Sequence, residues 1–133
     1  MTARKRECSE VIRAGRLKKA KEFYRAAVLV ENAAPNASVD LFVDAGIAAA
    51  DVICCSRLGV YAEGENHNEA VALLEKAEPS VAKYLRTLLN LKSKVAYTHR
   101  SVTTDERKKA SRAAENLVEA ASRITKPARG QTG

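Results

Sequence analysis

The sequence predicts an all-α domain, an up-and-down antiparallel bundle of four to five helices. Three observations lead there. Hydrophobic residues make up 46% of the chain, yet aromatics are only 5% and Trp is absent. The core must therefore be built from Ala, Leu, Val and Ile, which suits closely packed helices. Six Gly and three Pro are too few for a turn-rich β fold. Every long segment places its apolar residues at helical spacing, in Ala- and Lys-rich sequence of high helix propensity. At 133 residues the chain fits one domain with a sizeable core.

Taken in order, residues 1–15 form a basic N-terminal segment that is partly helical. Ser9 is placed to cap a short turn that Gly15 interrupts. The bundle domain spans 16–124. Its first helix runs from about Arg16 to Asn32, with Leu17, Ala20, Tyr24, Ala27 and Val28 on one face. "NAAPNAS" ends it, because Pro35 cannot continue a helix and Asn36 and Ser38 are good caps. The second helix, "VDLFVDAGIAAADVICCSRLGVYA", is apolar nearly all round and belongs at the centre of the bundle. Gly46 within it permits close approach of a neighbour. After an "EGEN" turn, a short third helix covers about Asn68 to Lys76, with His67 as a cap or surface residue. Pro79 opens the fourth helix, which reaches about Tyr97. Thr103 and Glu106 have capping-box spacing. They start a fifth helix striped by Ala110, Ala113, Ala114, Leu117, Ala121 and Ile124. Residues 125–133 read as a disordered tail. Short connections make neighbouring helices antiparallel.

Charge is unevenly spread. Residues 1–21 carry eight Lys/Arg against two Glu, and 22–82 carry three against ten acidic residues. Residues 83–112 return to nine against two. The basic parts are suited to attracting phosphates. Cys8, Cys54 and Cys55 are odd in number, and two of them are adjacent. This is neither a disulfide framework nor a metal spacing, so reduced, buried thiols in a cytoplasmic protein are expected. No secretory signal is evident, and no segment is long and apolar enough for a membrane span, so no membrane association is expected.

The stretch "LKSKVAYTHRSV" (residues 91–102) contains the candidate site. On a helical wheel Val81, Tyr84, Leu85, Leu88, Leu91 and Val95 share one arc, while Lys83, Arg86, Asn90 and Lys94 lie opposite. Lys92 falls inside the apolar arc. His99 falls above Val95 on the same arc if the helix extends that far, about two turns or roughly 10 Å from Lys92. A lysine in an apolar stripe is costly unless it is paired or reaches water. The column therefore borders a cleft or a subunit interface, or else Lys92 snorkels out of an ordinary helix end. Tyr97 and Arg100 flank His99 and could stack on or grip nucleic acid. Lys18, Lys19 and Lys21 face water.

These elements resemble the HEPN superfamily of small α-helical bundles, in its actinobacterial branch. The resemblance covers about residues 16–124. It is carried by "AKEFYRAA", "DAGIAAADVICCSRLG", "NHNEAVALL", "LLNLKSKVAY" and "AAENLVEAA". Active members of that family carry an Arg, four to six intervening residues and a His, often with Asn after the Arg. They dimerise so that the motifs face each other, and they cleave RNA without metal. The resemblance puts Lys92 at the Arg position, Ser93 at the polar position and His99 at the His position. Lys lacks the bidentate grip of Arg on phosphate, and Ser93 is shorter than Asn. His99 would be the general acid or base toward the ribose 2′-OH.

The resemblance thus implies an RNA- or nucleotide-binding or regulatory module with weak or no catalysis. It would act as a homodimer and need neither cofactor nor metal. Two alternatives are an active metal-independent endoribonuclease and a structural protein-interaction module. The endoribonuclease would be the toxin of a toxin–antitoxin pair, with a cognate antitoxin or nucleotidyltransferase as partner.

Overall fold

A computed structural model describes residues 5–63 and 66–126. It is an all-α bundle of five helices with one very small β-ribbon. Helix α1 spans Glu10–Val30 without a break. Ser9 caps it, its Oγ accepting the Ile12 N–H at 3.2 Å. The expected interruption at Gly15 does not occur. A Cβ there would meet nothing within 4 Å, and one exposed glycine costs a helix only about 1 kcal/mol. The boundary at residue 15 therefore falls inside a helix. Along its inner face Ala20 and Ala27 are fully buried, and Leu17 and Tyr24 pack on the core. Val28 is 45% exposed, contrary to its place on the expected face.

Helix α2 spans Pro35–Leu58, with Pro35 in the first turn. Asn36 and Ser38 are not its caps. Ser38, fully buried, donates its hydroxyl to the Ala27 carbonyl at 2.8 Å, tying α2 to α1. Asn36 Oδ1 accepts the Val102 N–H at 2.8 Å. The helix stops before the expected Ala62, because Gly59 adopts φ 74°, the left-handed conformation that ends helices cheaply. The chain then turns back as β2 (Val60–Ala62), which pairs antiparallel with β1 (Lys5–Glu7), Lys5 opposite Ala62 and Glu7 opposite Val60. The expectation of helices alone is corrected by these three-residue strands.

Asn66 caps α3 (His67–Ala77). Pro79 opens α4 (Pro79–Ala96). The capping box of α5 (Thr104–Thr125) is present as read. Thr103 Oγ1 accepts from the Glu106 N–H at 3.1 Å, and Glu106 Oε1 accepts from the Thr103 N–H at 2.8 Å. Lys94 Nζ lies 2.6 Å from Glu106 Oε2. Together these hold the Glu106 carboxyl down to about 2. Arg107 pairs with Glu31, joining the start of α5 to the end of α1. Residues 1–4, the middle of the "EGEN" turn and most of the 125–133 tail lie outside the described residues.

Helix α2 packs against all four other helices. That position requires small residues: Ala45, Gly46, Ala48, Ala49 and Ala50 are all buried. At Gly46 a Cβ would stand 2.2 Å from Leu88 Cδ1 of α4 and 3.3 Å from Leu117 Cδ1 of α5. Leu88 and Leu117 are fully buried, so neither can withdraw without opening a void elsewhere. The stripe foreseen on α5 is buried from Ala110 to Ala121, with Ile124 packed at its edge.

The cysteines differ from expectation. Cys8 and Cys55 form a disulfide, and only Cys54 is free. Spacing along the chain gave no sign of it, because the two sulfurs meet only once Gly59 reverses the chain and Cys8 N–H bonds the Gly59 carbonyl at 2.9 Å. Among the described residues no helix is long and apolar enough to cross a membrane. The disulfide closes a loop between residues 47 apart in sequence, and removing a native disulfide typically costs about 2–5 kcal/mol. Reducing the protein, or making Cys8→Ser, is expected to lower its unfolding free energy by about 2–4 kcal/mol in urea titration. Thiol titration of the denatured, unreduced chain is expected to find one free thiol. An unchanged urea midpoint or three free thiols would refute the bond.

Candidate functional site

A cleft of about 400 Å³ opens between α2, α3 and α4. Its floor is apolar, formed by Ile47 and Ala50 of α2 with Leu85 and Leu89 of α4. Polar groups enter from three helices. Lys92 and Ser93 come from α4, Asp51 and Cys54 from α2, and His67 from the first turn of α3. Tyr97 stands at the rim, 87% exposed.

Lys92 is among the residues that line this cleft. Leu85 of the apolar arc, with Leu89, belongs to the cleft floor, and Lys92 itself is exposed at the opening, so it also reaches water. No ion pair within 4 Å engages it among the described residues. Asp44 of α2 feels its charge. Burial raises the Asp44 carboxyl above its ordinary value, and Lys92 opposes that rise.

His99 does not join Lys92. Helix α4 ends at Ala96, so no helical phase carries from one residue to the other. The intervening loop is drawn toward the start of α2, where Asn36 binds both Val102 and Ser101. His99 and Arg100 are exposed on that loop and do not line the cleft. The stacked column foreseen for Lys92 and His99 is corrected accordingly. Of the grouped residues, Lys92, Ser93 and Tyr97 come together.

The histidine in the cleft is His67. It is not the cap of α3, since Asn66 takes that place, and it is half-buried. Periodicity could not have found it, because "EGEN" hides where the chain re-enters the bundle. Asp51 was detectable: a carboxylate in the run "GIAAADVICC" sits in the most apolar helix of the chain. Its side chain is 13% exposed. Arg16 Nε approaches to 3.8 Å, longer than a hydrogen bond, while the Arg16 guanidinium rests 5.4 Å over the Tyr61 ring. Burial pushes the Asp51 carboxyl up to about 7, with Arg16 pulling the other way. The neighbouring Cys54 thiol is pushed up to about 12 by burial and by Asp51, so it stays protonated and is a poor nucleophile. Among the described residues no cluster of three or more His, Cys, Asp or Glu could hold a metal ion. The cleft can hold an anionic group at Lys92 and Ser93, stack a ring on its apolar floor and exchange a proton at Asp51.

A carboxyl raised on folding favours the native state most when protonated. Stability should therefore decline as pH rises from about 4 toward about 7, the interval between the ordinary and the folded value, and level off above it. Asp51→Asn is expected to flatten this part of the pH–stability profile and to be more stable than the parent near pH 8. Thermal melts across that range check it, and an unchanged slope would remove Asp51 from its role.

No protein-family model, curated protein or solved structure matches the chain.

Proposed function

We propose that this protein is a HEPN-like RNA- or nucleotide-binding module that holds its ligand with little or no turnover. Phosphate would sit at Lys92 and Ser93, with the base against the apolar floor or the Tyr97 ring. The observation that supports this is the opening of Lys92, Ser93 and Tyr97 onto one cleft of about 400 Å³, within the size range of small-ligand sites. Low turnover follows from two features. A lysine gives phosphate a point charge rather than a bidentate clamp, and His99 lies outside the cleft.

A second reading, a metal-independent endoribonuclease of the toxin type, is favoured by one specific feature. His67 supplies an imidazole to the cleft that Lys92 borders. Cleavage of labelled RNA in the presence of a chelator would then depend on His67 rather than His99.

The binding test compares two lysines of α4. Lys92 opens on the cleft, whereas Lys94 is engaged by Glu106. Lys92→Ala is expected to weaken RNA binding by about 1–2 kcal/mol more than Lys94→Ala, the scale of one charge-assisted hydrogen bond. Diffuse attraction would treat the two alike. Equal losses would dismiss the cleft, and absence of binding would leave a protein-interaction module. By the family's habit the functional unit would be a homodimer meeting along the C-terminal part of α4. Light scattering that finds only monomer at micromolar concentration would overturn the dimer.

A further inference from the structure

The cleft lies on one flank of α4. On the other flank α4 and α5 enclose a second groove of about 460 Å³. Tyr84, Thr87, Asn90 and Leu91 line it from α4, and Lys109 and Arg112 from α5. Asn90, Lys109 and Arg112 are exposed.

The cations here differ from their neighbours. Arg107 is paired with Glu31, and Lys94 with Glu106. Among the described residues Lys109 and Arg112 make no ion pair within 4 Å. Asp105 and Glu106 are the only acids in the segment 83–112, against nine Lys/Arg, and Glu106 is already taken by Lys94. Lys109 and Arg112 are therefore two exposed cations at the groove with no direct ion pair among the described residues. The groove also carries neutral hydrogen-bonding groups. Thr87 donates its hydroxyl to the Lys83 carbonyl at 3.0 Å, which leaves its oxygen free to accept. Lys83 Nζ lies 5.2 Å over the Tyr84 ring, adding a further cation beside the groove.

We propose that the α4–α5 groove is a track for the phosphodiester backbone of single-stranded RNA, with Lys109 and Arg112 neutralising adjacent phosphates. Three positions apart on one helix, the two side chains are neighbours about 5–6 Å apart at Cβ, a spacing that consecutive phosphates of one strand can match. The amide of Asn90 adds a donor from the opposite wall. A groove bounded by two helices admits one strand more readily than a duplex, and a charged groove that follows the backbone is the usual means of holding single strands. The inference rests on the RNA reading given above, but its residues are separate from the Lys92 cleft. The exposed ridge of α4 that bears Arg86 and Asn90 lies between the two sites, so one strand crossing it could occupy both.

The test measures binding of a fluorescently labelled single-stranded RNA dodecamer by anisotropy over a series of salt concentrations. Lys109→Ala/Arg112→Ala is compared with Lys18→Ala/Lys19→Ala, which removes the same charge from exposed positions on α1. The groove variant is expected to bind at least tenfold more weakly at low salt. Its salt slope should be shallower by about 1.4, for two phosphates at about 0.7 each. The α1 variant should stay within about twofold of the parent. All four replaced side chains are exposed, and circular dichroism melts check that both variants fold. Equal behaviour of the two variants overturns the groove. If the groove variant loses affinity while Lys92→Ala does not, the cleft reading fails and the groove stands. If the unaltered protein binds no RNA at low salt, both fail.

Discussion

Everything in this bundle depends on the close contact of α2 with α4 and α5 at Gly46. The Leu88 and Leu117 side chains occupy the space a Cβ would need. Only a stretch of small residues lets neighbouring helices approach at such short range. Because α2 is thin there, α4 and α5 close over it, and their leucines Leu88 and Leu117 complete the core at this point. Tyr24 and Phe42, 5.7 Å apart between ring centroids, form an aromatic pair at the α1–α2 contact.

The same thinness determines where polar groups can be placed. On α2 the exposed Asp40 and Asp44 mark a wet stripe, and Asp51 lies further along it, where the packing breaks only in part. That break is the cleft, where α3 and β2 fail to cover the later turns of α2. Burial at the floor of this cleft raises the Asp51 carboxyl and keeps the Cys54 thiol inert, while Lys92 stands open at its mouth. Arg16 relieves Asp51 only in part, since it sits at 3.8 Å and is itself held over Tyr61.

The disulfide and the β-ribbon serve that uncovered section. Cys8 fastens the start of the chain to the last turns of α2, and β1 pins β2, whose Ala62 lines the cleft. Arg6 and Glu63 extend the same clasp with an ion pair at 2.6 Å. The sequence suggests a cytoplasmic protein on the ground of reduced thiols. A bonded Cys8–Cys55 pair withdraws that ground, since disulfides are rare in a reducing compartment.

The sequence by itself determined the five helices and the central place of the second. Apolar residues recurring at helical spacing, Pro79 at a first turn, and the Thr103–Glu106 box are local signals, and local hydrogen bonding and side-chain burial are enough to realise them. It also showed that Lys92 was out of place on an apolar face. Tertiary structure decided what Lys92 faces. His99 was paired with it by counting along a helix, but the helix stops at Ala96 and Asn36, 63 positions before His99, anchors the loop that carries it away. His67 and Asp51 join the cleft from two other helices, and Cys8 meets Cys55 across the ribbon. Such meetings depend on how far each helix extends and where the chain reverses. Those features are governed by packing between distant segments, which periodicity within one segment does not contain.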